Sequence, residues 1–368
     1  MRRISLLSTL PPVKGLSPYT LGLVNELSKN CEIGFYGFKA IYPEFLYPGK
    51  SKTEEKEPKI KNVKIINNLA WYNPFSWIKT GFQIDTKTIH AQWWSWFLAP
   101  LYLITLGIAK RRGKKIILTI HNVKPHEKSF IKNWLNISVL KLADEFIVHS
   151  ENNKKQFLGL TKTKKKISVI PHGIIQMKKT KLTNLFLRKK YGFKKNDRIL
   201  LFFGNIRDYK GLDVLLDSLR NIQNKSVRLI IAGNPWGSFE RYEKQIKENN
   251  LKQKCTLFLG FNSEQKLSEL FKLSDLVIFP YKEFEASSGA GTVALFYEKP
   301  LVVTNVGGLP NLVNDKKVIA KPNDSEDLKQ KILYALRNLK KLKENSKTKA
   351  KEFSWKKIAK KTLGVYRG

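Results

Sequence analysis

Residues 204 to 210 read Gly-Asn-Ile-Arg-Asp-Tyr-Lys and place two cations, Arg207 and Lys210, in one short turn. An apolar run, Ile199 to Phe203, leads into the turn, and an amphipathic run with leucines at 212, 215, 216 and 219 leads out. The pattern is a buried strand, a tight turn at Gly204 and a helix. A helix start already carries positive potential from its free amides, so two cations there are unfavourable for the helix itself. They make chemical sense if an anion with more than one negative charge, such as a diphosphate, occupies the gap. The plain alternatives are a solvated surface pair or pairing with Asp208.

Other loops that follow apolar runs hold further candidates. Gly15, in "PPVKGL", stands ahead of a helix N-terminus, which is either an anion site or an ordinary connection. "HNVKPHE" follows a strand ending at Ile120 and contains His121, Asn122, His126 and Glu127. A histidine at a strand's carboxyl end can donate to a sugar hydroxyl or a phosphate oxygen; otherwise it is a satisfied structural group. Pro125 and the spacing of the histidines do not fit a zinc-binding helix. "KEFEASSGAGTVALFYEKP", residues 282 to 300, sets Glu285 before a Ser-Ser-Gly run that opens a helix. Amides of Ser288 and Gly289 could hold phosphate or ribose oxygens, and Glu285 could accept from sugar hydroxyls. Capping by Ser287 or Ser288 is the plain alternative.

The elements that must position these loops alternate. "RISLLS", "EIGFY", "VKII", "TIHA", "KIILTI", "EFIVHS" and "ISVIPHG" read as strands in the first half. A helix runs from about Pro18, with Ser17 as N-cap and Leu21, Val24 and Leu27 on one face. After a basic stretch beginning near Met177, the alternation restarts with "ILLFFG", "VRLIIAG", "CTLFLG", "LVIFPY" and "LVVT". Helices are expected near Leu212, Phe239, Glu264, Ser288 and Ser325, the last with Leu328, Ile332, Leu336 and Leu339 on one face. Such alternation means right-handed βαβ units and parallel sheets, hence two doubly wound domains facing each other. Ligands in that architecture bind beyond the carboxyl ends of the strands.

Composition sets outer bounds. The 368 residues, 42% hydrophobic, suit two domains. Cys31 and Cys255 give neither a disulfide framework nor a metal cluster and fit a reducing, cytoplasmic setting. The start "MRRISLLSTLPP" reads as a first strand, not a signal peptide. The segment 93 to 109 is nearly all apolar but short for a bilayer and interrupted by Pro100, so a buried helix is expected there. "KSKTEEKEPKIK", residues 50 to 61, reads as a charged, mobile loop. A formal charge of +38 fits a Lys-rich soluble surface, attraction to anionic lipid, or nucleic acid. No nucleic-acid signature accompanies the charge, so that partner is not expected. "WYNPFSWIKTGF", "QWWSW" and "SFIKNWL" are either core or an aromatic and basic apron for a membrane surface.

Together, "FFGNIRDYKGLDVLLDSL", "FPYKEFEASSGAGTVALFYEKPLVVTNVGGLP", "TIHNVKPHE" and "ISVIPHG" resemble the retaining GT-B glycosyltransferases of glycosyltransferase family 4. The resemblance covers nearly the whole chain and is strongest over residues 199 to 310. It implies an α/β fold of two Rossmann-like doubly wound domains facing across a cleft. Residues 1–178 form the acceptor side, 179–352 bind the nucleotide-sugar, and a closing helix, 353–368, packs back on the first domain. Lys210 matches the family's diphosphate lysine. The arginine usual directly after the glycine is Asn205 here, and Arg207 takes its role. Glu285 matches the first of a pair of glutamates that contacts the donor sugar. The second is replaced by Val293, which passes the ribose contact to Thr292 or to the Ser288–Gly289 backbone. His121, with Asn122 in the same loop, matches a histidine near the donor sugar, and Gly15 a glycine loop near the diphosphate.

The implied reaction moves a hexose from a UDP- or GDP-sugar to an acceptor hydroxyl, with configuration retained. No cofactor is implied, and with no Asp-x-Asp in the chain no essential metal. A lipid-linked or polysaccharide-precursor acceptor fits a protein at the cytoplasmic face of a membrane. A soluble transferase making a free disaccharide or glycoside, and a non-catalytic sugar-nucleotide-binding protein, are the alternatives.

Overall fold

Continuous apolar runs become central strands, because a parallel sheet is covered by helices and both faces of each strand are buried. The computed structural model describes residues 1–13, 15–43, 56–123, 130–284 and 288–367. Lys14, His126, Glu127, Glu285 and Ser287 lie outside the described residues, as does the part of the charged segment from 50 to 55. The chain divides into two units, Met1–Gly173 with Ser354–Gly368, and Ile174–Phe353. The passage falls at Gly173, not at residue 178, because Ile174 already packs in the second unit's core and its N–H donates to Phe353 O at 3.1 Å.

The first unit contains β1 (Arg2–Leu7), α1 (Ser17–Leu27), β2 (Cys31–Ala40), β3 (Val63–Ala70), α2 (Pro74–Gln83), β4 (Thr88–Trp93), α3 (Ala99–Arg111), β5 (Lys115–Ile120), α4 (Phe130–Leu142), β6 (Glu145–Val148), α5 (Glu151–Thr161) and β7 (Ile167–Val169). Its seven strands are parallel, in the order β3-β2-β1-β4-β5-β6-β7. The apolar segment around Pro100 is helix α3, with the proline in its first turn, where a missing N–H is harmless. Tyr102, Leu106 and Ala109 are fully buried on it. Among the described residues no helix is long and apolar enough to cross a membrane.

The second unit contains α6 (Asn184–Lys190), β8 (Arg198–Phe203), α7 (Leu212–Arg220), β9 (Val227–Gly233), α8 (Glu240–Glu248), β10 (Cys255–Leu259), α9 (Glu264–Leu273), β11 (Leu276–Phe279), α10 (Gly289–Phe296), β12 (Leu301–Thr304), β13 (Ile319–Ala320), α11 (Ser325–Arg337) and α12 (Leu339–Glu352). Its six strands run β10-β9-β8-β11-β12-β13, the same winding as in the first unit. The last helix, α13 (Trp355–Arg367), returns to the first unit. Its Trp355 occupies the space left by two glycines: a Cβ on Gly22 would come within 2.2 Å of the indole, and one on Gly173 within 2.6 Å.

Two helix readings need correction. Helix α1 includes Ser17, whose hydroxyl donates to Val13 O in place of capping, and Leu16 is the cap residue. The buried stripe is Tyr19, Thr20, Leu23, Val24 and Leu27, while Leu21 is half-buried and packs at the edge of the same core. In α11 the buried residues are Leu328, Ile332 and Ala335; Leu336 is half-buried and Leu339 belongs to α12.

Candidate functional site

In the second unit the winding reverses between β8 and β11, and the two loops leaving those strands flank the switch point where such sheets bind ligands. They are the Gly204 turn and the segment after Tyr281. Gly204 has φ +105°, and a Cβ there would lie 2.8 Å from Lys210 Nζ, so the glycine leaves room for the ammonium. Gly211 has φ +68° and comes so close to Pro280 that a Cβ would sit 2.0 Å from its carbonyl oxygen. That approach pulls the 3-10 turn Asp208–Lys210 inward. Lys210 is in consequence only 7% exposed, with Nζ 5.5 Å over the Tyr281 ring.

Burial first, and the neighbouring Arg207 second, push the Lys210 ammonium down to about 8. Among the described residues no carboxylate pairs with Lys210 or Arg207. Asp208, the obvious partner, turns away to Arg241 at 2.7 Å and Lys282 at 3.3 Å, and those hydrogen bonds hold its carboxyl below the usual range. Arg207 lies with Cζ 3.9 Å over the Trp236 ring, and its buried Nε has no acceptor among the described residues. The turn therefore holds a buried ammonium and a half-buried guanidinium without a carboxylate partner among the described residues, with the uncapped start of α7 directly after them.

The second loop is only partly described, since Glu285 falls outside. Ser288 is the N-cap of α10: its hydroxyl accepts from Gly291 N–H at 3.0 Å and is thereby occupied. Amides of Gly289 and Ala290 find no acceptor among the described residues. Thr292 is 1% exposed, donates to Gly289 O at 2.9 Å and accepts from Ile175 N–H at 3.4 Å. Its hydroxyl is buried and its one proton is already given, which leaves the backbone amide of Gly289 as an available donor. Val293 is buried in the core, where a carboxylate would be unpaired.

In the first unit Gly15 has φ +96°, and the nearest atom to a Cβ there is Thr9 Oγ1 at 3.6 Å. Asn122 donates to Trp94 O at 2.9 Å. His121 is half-buried and both its ring nitrogens are engaged. Nε2 meets the Gln92 amide at 2.7 Å, and Nδ1 meets His149 Nε2 at 3.2 Å. His149 Nδ1 faces Ile170 O at 2.9 Å, an atom that only accepts, so that nitrogen carries the proton. His149 Nε2 is then unprotonated, and the single N–H of a neutral His121 faces two acceptors, Gln92 Oε1 at 2.7 Å and His149 Nε2 at 3.2 Å. His90 continues the network, with Nδ1 2.6 Å from Tyr366 Oη on α13 and Nε2 2.7 Å from Thr119 Oγ1. His172 packs beside them, 5.5 Å from His149 and 4.9 Å from Tyr19 between ring centroids.

Burial lowers all four histidines, His90 and His149 to about 3 and His172 to about 4, with His121 well below its ordinary value. Among the described residues no three His, Cys, Asp or Glu side chains converge as metal ligands would. Only His121 was singled out from this cluster, yet the same signal was open: His149 and His172 also stand directly after apolar strand runs. Trp236 was missed because nothing local marks an aromatic after β9 as a partner of Arg207.

Two doubly wound units, the second with two cations at its switch point, define a two-domain α/β protein of parallel sheets. Residues 184–353 match the family model for glycosyl transferases group 1, and residues 14–175 match that for glycosyltransferase family 4. The chain belongs to this glycosyltransferase family and has its GT-B fold. An uncharacterised glycosyltransferase of Methanocaldococcus jannaschii is 32% identical over 174 residues, 45% of this chain and 47% of its own. The GDP-mannose:glycolipid 4-beta-D-mannosyltransferase of Xanthomonas campestris pv. campestris is 27% identical over 206 residues, 55% of this chain and 53% of its own. The matched region thus spans about half the length of these curated relatives. The Anabaena protein HepE, solved in complex with UDP, superimposes with a TM-score of 0.74 over 100% of both chains at 15% identity, a likeness of fold.

Proposed function

We propose that this chain moves a hexose from a UDP- or GDP-sugar to a hydroxyl of a lipid-linked or polysaccharide-precursor acceptor, with configuration retained. The carrying observation is the pair of cations at the switch point, Lys210 buried and Arg207 half-buried against Trp236, with no carboxylate partner among the described residues. As the bond from the anomeric carbon to the diphosphate breaks, its electron pair goes to the phosphate oxygen. The acceptor oxygen forms the new bond, and its proton passes to that phosphate oxygen. Lys210 and Arg207 meet the developing charge without reorganising, and the amide of Gly289 is a further donor to the nucleotide. Glu285 is assigned to the sugar by its place in the motif. His121 serves the donor sugar through its position, since its one N–H already faces acceptors within the first unit, Gln92 Oε1 and His149 Nε2.

The cations supply the neutralisation that a metal provides elsewhere, and the chain has no Asp-x-Asp. Purified protein should release UDP or GDP from its nucleotide-sugar at an undiminished rate in excess EDTA. Complete loss, restored by Mg²⁺ or Mn²⁺, would overturn the metal-independent mechanism. Binding of nucleotide-sugar without turnover over any acceptor would make it a sugar-nucleotide-binding protein.

The acceptor side is read from surface chemistry. Helix α2 leaves Phe75, Ile78 and Phe82 exposed, and α4 leaves Phe130, Ile131 and Trp134 exposed. Trp77 and Trp93 are core, so the aromatic stretches divide between the two roles. Exposed rings at helical spacing on a chain of charge +38 suit peripheral contact with anionic lipid. The Xanthomonas relative acts, by its name, on a glycolipid. Vesicles containing anionic lipid should sediment the protein at low salt and release much of it at high salt. Phe75→Ser and Phe82→Ser should each weaken binding about tenfold, since a ring withdrawn from the interface forfeits that order of transfer energy. Equal binding to neutral vesicles, or none to either kind, would refute the contact.

A further inference from the structure

A carboxylate holding Arg207 would cancel the charge the turn needs. The structure holds it with a ring instead. Trp236 follows β9, and its loop is joined to the Gly204 loop beyond the ends of the two strands. Ile206 N–H donates to Asn234 O at 2.8 Å, Trp236 N–H donates to Ile206 O at 2.9 Å, and Ile206 and Pro235 form a parallel bridge. The backbone of Trp236 is therefore fixed relative to that of Arg207, one residue past the bridge. The guanidinium carbon lies 3.9 Å from the indole centroid.

Such stacking uses the π-face of the guanidinium and leaves the in-plane N–H donors free. One of them, Nε, is buried with no acceptor among the described residues, a donor kept in reserve. Trp236 itself is 56% exposed, so core packing does not account for a ring of this size on a rigid loop.

We propose that Trp236 is the positioning residue of Arg207: it stacks the guanidinium so that its fork faces the bound diphosphate before the ligand arrives. The inference rests on the diphosphate reading and deepens it. A long, flexible arginine otherwise loses its side-chain freedom at the moment of binding. The ring has already restricted it, and does so without neutralising it.

The test is calorimetric titration of UDP and GDP into wild type, Trp236→Phe, Trp236→Ala, Arg207→Ala and the double alanine variant. Trp236→Ala should weaken the bound diphosphate about tenfold, the order expected for a partly desolvated cation–π contact. Trp236→Phe should recover most of the loss, because a smaller ring still offers a π-face. The double variant should bind no more weakly than Arg207→Ala alone, because without the guanidinium the ring has nothing to position. Additive losses, or a Trp236→Ala protein that binds like wild type while Arg207→Ala binds weakly, would overturn the positioning role and leave the diphosphate reading standing. If Arg207→Ala alone binds both diphosphates as tightly as wild type, the diphosphate reading itself falls, and this inference with it.

Discussion

Lys210→Ala should lose about a hundredfold in the rate of sugar transfer, because removing one preorganised charge contact costs on the order of 3 kcal/mol in the transition state. The loss should appear without any loss of fold. Lys210 is buried, has no carboxylate partner among the described residues and lies beside another cation, and its ammonium is depressed to about 8 by burial and then by Arg207. The sign of that shift fixes the effect on stability. Between about 8 and the ordinary lysine value the unfolded chain binds the proton more readily than the folded one. At neutral pH the charged group therefore costs the fold about 3 kcal/mol. Lys210→Met keeps much of the stem and removes the charge, so it should be nearly inactive and yet melt at a higher temperature than wild type. Arg207→Ala should lose activity similarly, and Arg207→Lys should recover only part, since a fork of donors becomes a point charge. Asn205→Ala is the control and should matter less. Transfer at wild-type rate by both alanine variants would refute the diphosphate site, and a Lys210→Met protein that melts lower would refute the account of its burial.

The part of this site that could be read in the chain is the part built from one strand and its following loop. Arg207 and Lys210 are three residues apart, and an apolar run before them with an amphipathic run after them was enough to place both at a strand's carboxyl end. The fate of Asp208 was not readable. Whether it neutralises its neighbours depends on Arg241 and Lys282, which come from β9's following helix and from the loop after β11. The packing of Thr292 was not readable for a related reason. Its hydroxyl follows the glycine run, but the helix phase turns it toward the Ile175 backbone, and that contact spans 117 residues of sequence.

The fold was legible where apolar runs are long and poorly legible where charge masks helix. Helix α6 lies inside the basic stretch that looked like a linker, with only Leu187 fully buried, too few positions to make a period. Helix α12, "LKKLKENSKTKAKE", buries only Leu342 and Ser346 and owes its position to tertiary contacts with α10 and α11. The two-residue strand β13 leaves no local signal either. The face of α1 was misjudged by part of a turn because Tyr19 and Thr20, which are not aliphatic, belong to its buried stripe. Thr20 Oγ1 reaches Ser8 Oγ at 2.7 Å, so that stripe is partly polar.

The first unit should lose stability steeply as the pH falls below about 6.5, and the cause is the histidine network that ties β4, β5, β6 and α13 together. His90 and His149 are fully or almost fully buried, and burial lowers each to about 3. The groups facing them are Gln92, Thr119, Tyr366, Tyr19, His121, His172 and the Ile170 carbonyl. Among the described residues none of these is a carboxylate, so a proton taken up inside the cluster meets no counter-charge. Protonating His149 would also remove one of the two acceptors that face His121. In the unfolded chain the same rings titrate near 6.5. Below that value the unfolded state binds more protons than the folded one, so stability declines by about 1.4 kcal/mol per pH unit for each ring, until the folded rings themselves titrate near 3. Two rings over the interval from 6.5 to 5 amount to about 4 kcal/mol, a large share of the 5–15 kcal/mol that typically holds a domain together. His121 and His172 act in the same direction. Urea unfolding followed at pH 8, 7, 6 and 5 should therefore show a plateau above pH 7 and a fall with a slope of two protons or more below it. In the folded protein the ring resonances of His90 and His149 should stay unprotonated down to pH 5. Midpoints that do not move between pH 7 and 5, or rings that titrate near 6.5 with the fold intact, would show that the cluster tolerates charge and that the network is not what sets the acid limit.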